Sequence, residues 1–184
     1  MNILSISGSP SQRSRSSWLL QLAQARLESA SHESHSLYVR ELPAHALVSA
    51  EASHPDVAAS VARVAAADVL IVATPIYKAA YSGVLKVWLD LLPQDALRGK
   101  TVLPLATGGS IAHLLAVDYA LKPVLSALGA RNILDGVYAT DAQLPSLGTG
   151  GYAPDDALLE RLDRALQPLL AVTERMRIAE PARC

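Results

Sequence analysis

The sequence predicts a three-layer α/β fold: a five-stranded parallel sheet with helices on both faces. Three observations predict it. Strand-length apolar runs alternate with amphipathic helical segments along the 184-residue chain, the signature of successive βαβ units. The run Val69 to Ala73 is apolar at five consecutive positions, as a strand covered on both faces must be. No internal repeat or linker-like composition interrupts the pattern, so residues 1–178 read as one domain and 179–184 as a flexible polar tail. For five strands wound in this way the expected order is 2-1-3-4-5, the flavodoxin-like arrangement.

Each element has a local reason. Ile3 to Ser7 is a short first strand. Ser16 to about Ala30 carries Leu19, Leu22, Ala23 and Leu27 at helical spacing. Ser36 to Arg40 forms the second strand, and Leu42 to His54, with Pro43 and little periodicity, reads as a loop. Pro55 opens a helix to Ala67 at a position where its missing donor costs nothing. The third strand, Val69 to Ala73, is expected to stop at Thr74-Pro75, because proline fixes φ and cannot donate to a ladder. Gly83 begins a helix to about Leu92. Thr101 to Thr107 is the fourth strand, Ile111 to Leu128 a long helix, and Ile133 to Ala139 the fifth strand. Gln143 to Ala153, with three glycines, is the most flexible interior segment. The last helix runs from about Pro154 to Ile178 with Leu158, Leu162, Ala165, Leu169, Val172 and Met176 on one stripe.

Composition narrows the function. Sixteen basic against seventeen acidic residues leave a net charge of −1, which gives no support to nucleic-acid or membrane-surface binding. No apolar run reaches the roughly 18 residues of a membrane span, and no secretory pattern precedes the first strand, so a cytoplasmic location is expected. The single cysteine, Cys184, excludes intrachain disulfides and cysteine metal clusters. The five histidines show no metal-ligand spacing, so no metal site is expected.

In the expected order, strands one, three and four end side by side on the edge where open α/β sheets hold ligands. After strand one comes Ser7-Gly8-Ser9-Pro10-Ser11-Gln12-Arg13-Ser14-Arg15-Ser16-Ser17, leading into a helix N-terminus that favours an anion. A helix cap needs one hydroxyl. Two arginines among five serines from Ser9 onward point instead to phosphate, with Ser16 and Ser17 offering hydroxyls and Arg15 neutralising charge. The loop is neither a Walker sequence nor a dinucleotide fingerprint, since the further glycines and the Gly-Lys-Ser/Thr ending are absent. After strand three come Ile76, Tyr77 and Lys78: an apolar group, an aromatic face and a cation. After strand four, Thr107-Gly108-Gly109-Ser110 lets backbone approach a ligand closely.

No acid–base dyad or nucleophile elbow accompanies these loops; Ser9 or Ser110 with His113 lacks a placed acid. His113 reads as a packing or capping residue, and Trp18 and Trp88 as core or interface anchors. A site without catalytic side chains suits a cofactor that performs the chemistry itself, and FMN fits, with one phosphate and a tricyclic ring. Tyr119 stands four residues before Pro123. Proline leaves the Tyr119 carbonyl without its intrahelical donor, so the helix is expected to kink or bulge there.

With these residues in hand, the chain resembles the NADPH-dependent FMN reductase family, and within it the flavin reductase component of two-component alkanesulfonate monooxygenase systems. The resemblance runs from Ile3 to about Ala139. It is carried by Ala73-Thr-Pro-Ile-Tyr-Lys-Ala-Ala-Tyr-Ser-Gly83 and by the segment from Leu103 to Leu128. It implies that Ser9, Arg15, Ser16 and Ser17 surround the FMN phosphate. Pro75, Ile76, Tyr77 and Lys78 would line the ring and ribityl chain, with Thr107, Gly108, Gly109 and Ser110 opposite. Lys78 is also placed to meet the phosphate of NADPH or charge on the reduced ring. Many members carry arginine directly after Gly-Ser-Pro; here that position is Ser11, so Arg13 or Arg15 takes over the charge.

The resemblance further implies hydride transfer from nicotinamide to flavin and delivery of reduced FMN to a partner FMNH2-dependent monooxygenase in sulfonate sulfur assimilation. It implies a homodimer or homotetramer, and a π-helix at Tyr119 that lies at a tetramer interface and gates flavin release. The same pocket would also serve a quinone or azo reductase with tightly held FMN. A non-catalytic flavodoxin-like electron carrier is the third reading, although the near-neutral charge lacks the acidic docking surface usual for carriers.

Overall fold

The computed structural model describes residues 1–28, 34–148 and 150–179, the stretch 172–179 in backbone only. In chain order the elements are β1 (Ile3–Ser7), α1 (Arg15–Glu28), β2 (Ser34–Tyr38), a 3-10 turn (Val39–Glu41), α2 (Ala44–Val48) and α3 (Pro55–Ala66). Then come β3 (Val69–Tyr77), β4 (Ala80–Tyr81), α4 (Gly83–Leu89), β5 (Thr101–Gly108), a 3-10 turn (Ile111–His113), a π-helix (Val117–Leu121) and α5 (Lys122–Ala127). β6 (Asn132–Ile133), β7 (Val137–Thr140) and α6 (Asp156–Ala179) complete the series. The expected tail lies outside the described residues beyond Ala179.

The sheet order is β2-β1-β3-β5-β6, with β7 continuing beside β5 and β4 pairing back onto β3. All pairs but the β3–β4 hairpin are parallel. This is the expected 2-1-3-4-5 order of a flavodoxin-like fold, with the fifth strand in two pieces. Strand periodicity sorts the core into two layers. Val69, Ile71 and Ala73 meet α1 and α6 through Leu19, Leu20, Leu158 and Leu162. Leu70 and Val72 face the opposite layer, with Val64, Leu85, Trp88 and Leu125. Leu166, outside the expected α6 stripe, is also fully buried.

Backbone donors explain where the strands depart from expectation. Gly8 N–H donates to the Ala73 carbonyl at 2.8 Å, so Ala73 and, two residues on, Pro75 turn their backbone groups toward β1. β1 has already left the sheet there, and the missing donor of Pro75 faces no partner. β3 therefore does not stop at Pro75; it runs to Tyr77 paired with β5 through Pro75 and Thr107. The fifth strand divides for the converse reason. Leu134 N–H donates to the Val102 carbonyl, so residues 102 and 104 face β6. Pro104 has no N–H to give on that side, and pairing lapses between Ile133 and Val137.

Three other elements differ from the sequence reading. The segment Leu42 to His54 contains the short helix α2. The expected helix Ile111 to Leu128 is divided into 3-10, π and α pieces. Within the π segment the Lys122 N–H donates back to the Val117 carbonyl, which absorbs the residue that Pro123 cannot bond. Gln143 to Ala153 folds back on itself, with Ser146 bridging Tyr152 and Leu147 N–H donating to the Gly151 carbonyl. Trp88 is fully buried and donates from Nε1 to Ser60 Oγ at 2.9 Å, while Trp18 packs edge-on against Tyr152.

Ser82 ties the upper edge together. Its Oγ caps α4 by accepting from Leu85 N–H at 3.1 Å and donates to the Gly8 carbonyl, and its N–H donates to Thr74 Oγ1 at 3.0 Å. Replacing Ser82 by alanine removes the cap and the tie together. Chemical denaturation should register a loss of about 1–2 kcal/mol with an unchanged m-value.

Candidate functional site

At the carboxyl ends of β1, β3 and β5 lies a cavity of about 250 Å³. It is lined by Ser9, Ser11, Arg13, Ser14 and Arg15 from the first loop and by Pro75, Ile76 and Tyr77 from β3. Thr107, Gly108 and Gly109 close it from β5, with Asp141 and Tyr152 beyond. Wider concavities of about 370 and 440 Å³ open at the amino-terminal edge of the sheet, the edge opposite to the one where open α/β folds hold ligands.

The first loop is braced by its own hydroxyls. Ser9 Oγ accepts from Ser11 N–H at 3.2 Å, and Ser14 Oγ accepts from Ser17 N–H at 3.3 Å as the cap of α1. Ser16 Oγ lies 2.9 Å from Ser14 Oγ, and Ser17 Oγ lies 2.7 Å from Ser7 Oγ. Both serines are buried behind the wall, so Ser9, Ser11 and Ser14 are the hydroxyls of the first loop that line the cavity. Gly8 is needed at the root of this loop, because a Cβ there would lie 2.6 Å from Leu85 Cβ.

Arg15 is held at three points. Its Nε donates to the Leu144 carbonyl at 3.0 Å, its Nη1 stands 3.3 Å from Asp141 Oδ2, and its guanidinium lies 5.4 Å from the Tyr152 ring centre. Arg13 lines the same wall and is exposed. Asp141, Tyr152, Ser11 and Ser14 were not singled out from the sequence. A polar residue directly after the fifth strand was the available signal for Asp141. Tyr152 had none, since its place depends on how the following loop folds.

Across the cavity, Tyr77 is half-exposed at the end of β3. The hairpin beyond it turns on Lys78 and Ala79, at φ of 50° and 63°. Two successive left-handed residues are the pattern of a I′ turn, where Asn-Gly is usual, and each non-glycine there costs about 1–2 kcal/mol. Lys78 stands at the turn tip, exposed and outside the cavity lining. Ser110 also falls outside it, capping the 3-10 turn by accepting from Ala112 N–H at 3.2 Å. His113 ends that turn, its N–H donating to the Ser110 carbonyl.

The glycine strip is backed by Tyr138, which sequence reasoning missed. Its hydroxyl donates to the Ser110 carbonyl at 2.6 Å and occupies the space beneath Gly108, where a Cβ would lie 2.4 Å from it. Burial, and secondarily the charge of Asp141, holds this phenol above its ordinary value of 10.0. Beside the strip, Ile111, Leu114, Leu115 and Tyr119 are exposed, Tyr119 at 77 %.

The wall of hydroxyls and guanidiniums at a helix N-terminus suits a phosphate monoester. The apolar and backbone wall opposite suits a planar ring that needs few side-chain hydrogen bonds.

The sequence matches the family model for NADPH-dependent FMN reductases over residues 1–144. An FMN reductase (NADPH) of Pseudomonas putida is 49 % identical over 98 % of this chain and 93 % of its own length. An FMN reductase (NADPH) of Escherichia coli is 46 % identical over 98 % and 94 %. Among solved structures, an NADH:FMN oxidoreductase in its apo form superposes with a TM-score of 0.79 at 38 % identity, covering 99 % of this chain and 91 % of that one.

Two substitutions probe the glycine strip. Gly108→Ala should displace Tyr138 and destabilise the protein by about 1–3 kcal/mol in urea. Tyr138→Phe should cost about 0.5–1.5 kcal/mol. A phenol raised in the folded state contributes stability that is complete below 10.0 and lost as pH climbs from there through the folded value. Alkaline unfolding followed by circular dichroism should therefore lose this component in Tyr138→Phe; an identical alkaline slope in both proteins would refute the assignment.

Proposed function

The chain belongs to the NADPH-dependent FMN reductase family, and from that premise we propose that the cavity at the ends of β1, β3 and β5 is where FMN is reduced. The convergence of a serine–arginine wall with a proline–tyrosine and glycine wall on one cavity carries this reading. When bound, FMN takes a hydride from the nicotinamide of NADPH and supplies the redox chemistry that no side chain here can.

The protein's own groups bind and orient. Ser9, Ser11 and Ser14 with Arg13, Arg15 and the α1 N-terminus hold the phosphate, while Ser16 and Ser17 keep that loop rigid from behind. Pro75, Ile76 and Tyr77 form the surface against which the ring lies. Gly108 and Gly109 line the opposite wall without side chains; the Gly108 backbone is turned to β7, and the Gly109 N–H is the strip's donor toward negative charge developing during reduction. Lys78, at the strained turn beside this cavity, is placed to meet the nicotinamide nucleotide.

Reduced flavin then leaves for a partner monooxygenase in sulfonate sulfur assimilation, the role that the sequence resemblance implies. Flavin release is gated by Tyr119, exposed on the π segment, because single-turn π elements recur where a helix is reshaped for function. Exposed Ile111, Leu114, Leu115 and Tyr119 form an apolar strip beside the cavity, the surface a homodimer or homotetramer would cover. Among the described residues no helix is long and apolar enough to cross a membrane, and a cytoplasmic site of action accords with an NADPH supply.

Steady-state NADPH oxidation should depend on added FMN, and a rate indifferent to FMN would sink the reading. Running NADH in parallel, with FAD and a quinone as alternative acceptors, separates flavin reduction from quinone reduction. In Tyr119→Ala, FMN should be retained or released differently on gel filtration; unchanged retention would remove the gating role while leaving the reductase assignment intact.

A further inference from the structure

We infer that Asp141 competes with the flavin phosphate for Arg15 and so keeps FMN binding weak; the inference rests on the reading of this cavity as the flavin site. The cavity lining holds three formal charges, Arg13, Arg15 and Asp141. A phosphate monoester near neutral pH carries about −1.5 to −2 charges. Two arginines would neutralise it, but Asp141 removes one positive charge from that sum. Its Oδ2 already lies 3.3 Å from Arg15 Nη1, so an incoming phosphate meets a guanidinium with an anionic partner in place.

This carboxylate is a built part of the wall. Asp141 N–H donates to the Gly108 carbonyl at 3.1 Å, which seats the residue beside the glycine strip. The next turn is closed by Gln143, whose Oε1 accepts from Thr140 N–H at 3.2 Å and from Arg161 Nη2 at 3.2 Å. Arg161 also donates to the Tyr138 carbonyl. α6 thereby clamps the end of β7 and presents Asp141 to the cavity.

Nor is Asp141 required to aim Arg15. The Leu144 carbonyl holds Nε and the Tyr152 ring lies by the guanidinium, and both remain when the carboxylate is neutralised. Replacement by asparagine therefore removes a competing anion and a repulsive charge while leaving the arginine in position. Every surviving term favours phosphate, and the change is confined to ligands that carry one. Asp141 thus acts as an affinity-setting residue, tuning the site toward a flavin that comes and goes.

The test is a fluorescence titration of the full-length protein with FMN and, separately, riboflavin, which lacks the phosphate. Wild type, Asp141→Asn, Arg15→Gln and the double variant are compared. Asp141→Asn should bind FMN about three- to five-fold tighter, the scale of a partly exposed ion pair, with riboflavin unchanged. In the Arg15→Gln background the same substitution should recover less than half of that gain. Unchanged or weaker FMN binding would overturn the inference, as would equal tightening of riboflavin or a full gain without Arg15. Wild type that fails to bind FMN would overturn the flavin reading and this inference together, whereas normal wild-type binding with no effect of Asp141→Asn overturns only the role of Asp141.

Discussion

β1 leaves the sheet at Gly8 while β3 continues to Tyr77, first against β5 as far as Pro75 and then in the hairpin with β4, and the site follows from that mismatch. Gly8 gives its N–H to Ala73 and its carbonyl to Ser82, so the chain departs under restraint at both ends of the residue. The gap above the departing strand is the crevice that an open α/β sheet offers where its strand order reverses. β3 can extend beside that gap because its proline points the missing donor into it. The extension carries Ile76 and Tyr77 past the sheet edge and places them opposite the serine–arginine loop.

The second tier of the design is electrostatic. The α1 N-terminus and two arginines create a positive wall, yet one of those arginines is already engaged by Asp141, Leu144 and Tyr152. That engagement joins the first loop to the segment after β7, which α6 holds in turn through Arg161. The C-terminal helix is thus connected to the serine–arginine wall, although no described residue of it lines the cavity. Under the proposed reading such balance keeps the flavin exchangeable, since an anion site of full strength would hold it.

The glycine strip and the π segment show how backbone satisfaction shapes the rest of the rim. Gly108 is small because Tyr138 needs the space to hold the Ser110 carbonyl. Ile76, Ala106, Ala116, Val117 and Tyr138 make a small core directly beneath this rim. The π segment starts over that core and ends at the proline-bearing α5. Its longer turn lets the chain pass Pro123 as a helix, and the added residue is accommodated where Tyr119 projects into solvent.

By itself the sequence determined the layer architecture, the strand order and the three converging loops. Periodicity and βαβ handedness act locally and leave few alternatives. It also determined that the helix must deform near Tyr119, because a proline removes a known donor from a known carbonyl. Most of the phosphate and ring residues it named do meet at one cavity: Ser9, Arg15, Pro75, Ile76, Tyr77, Thr107, Gly108 and Gly109. Ser16 and Ser17 stand behind the wall, and Lys78 and Ser110 outside it, because which hydroxyl faces a cavity depends on a helix cap and a turn geometry that residue type does not reveal. The effect of a strand proline was likewise decided in three dimensions. Pro75 and Pro104 have the same chemistry, yet one strand runs through its proline and the other loses a ladder rung, according to whether a neighbouring strand stands on the side that the missing N–H faces. Only tertiary structure could bring Asp141 and Tyr152 to Arg15, since that contact spans more than a hundred residues and is set by how α6 clamps the end of β7.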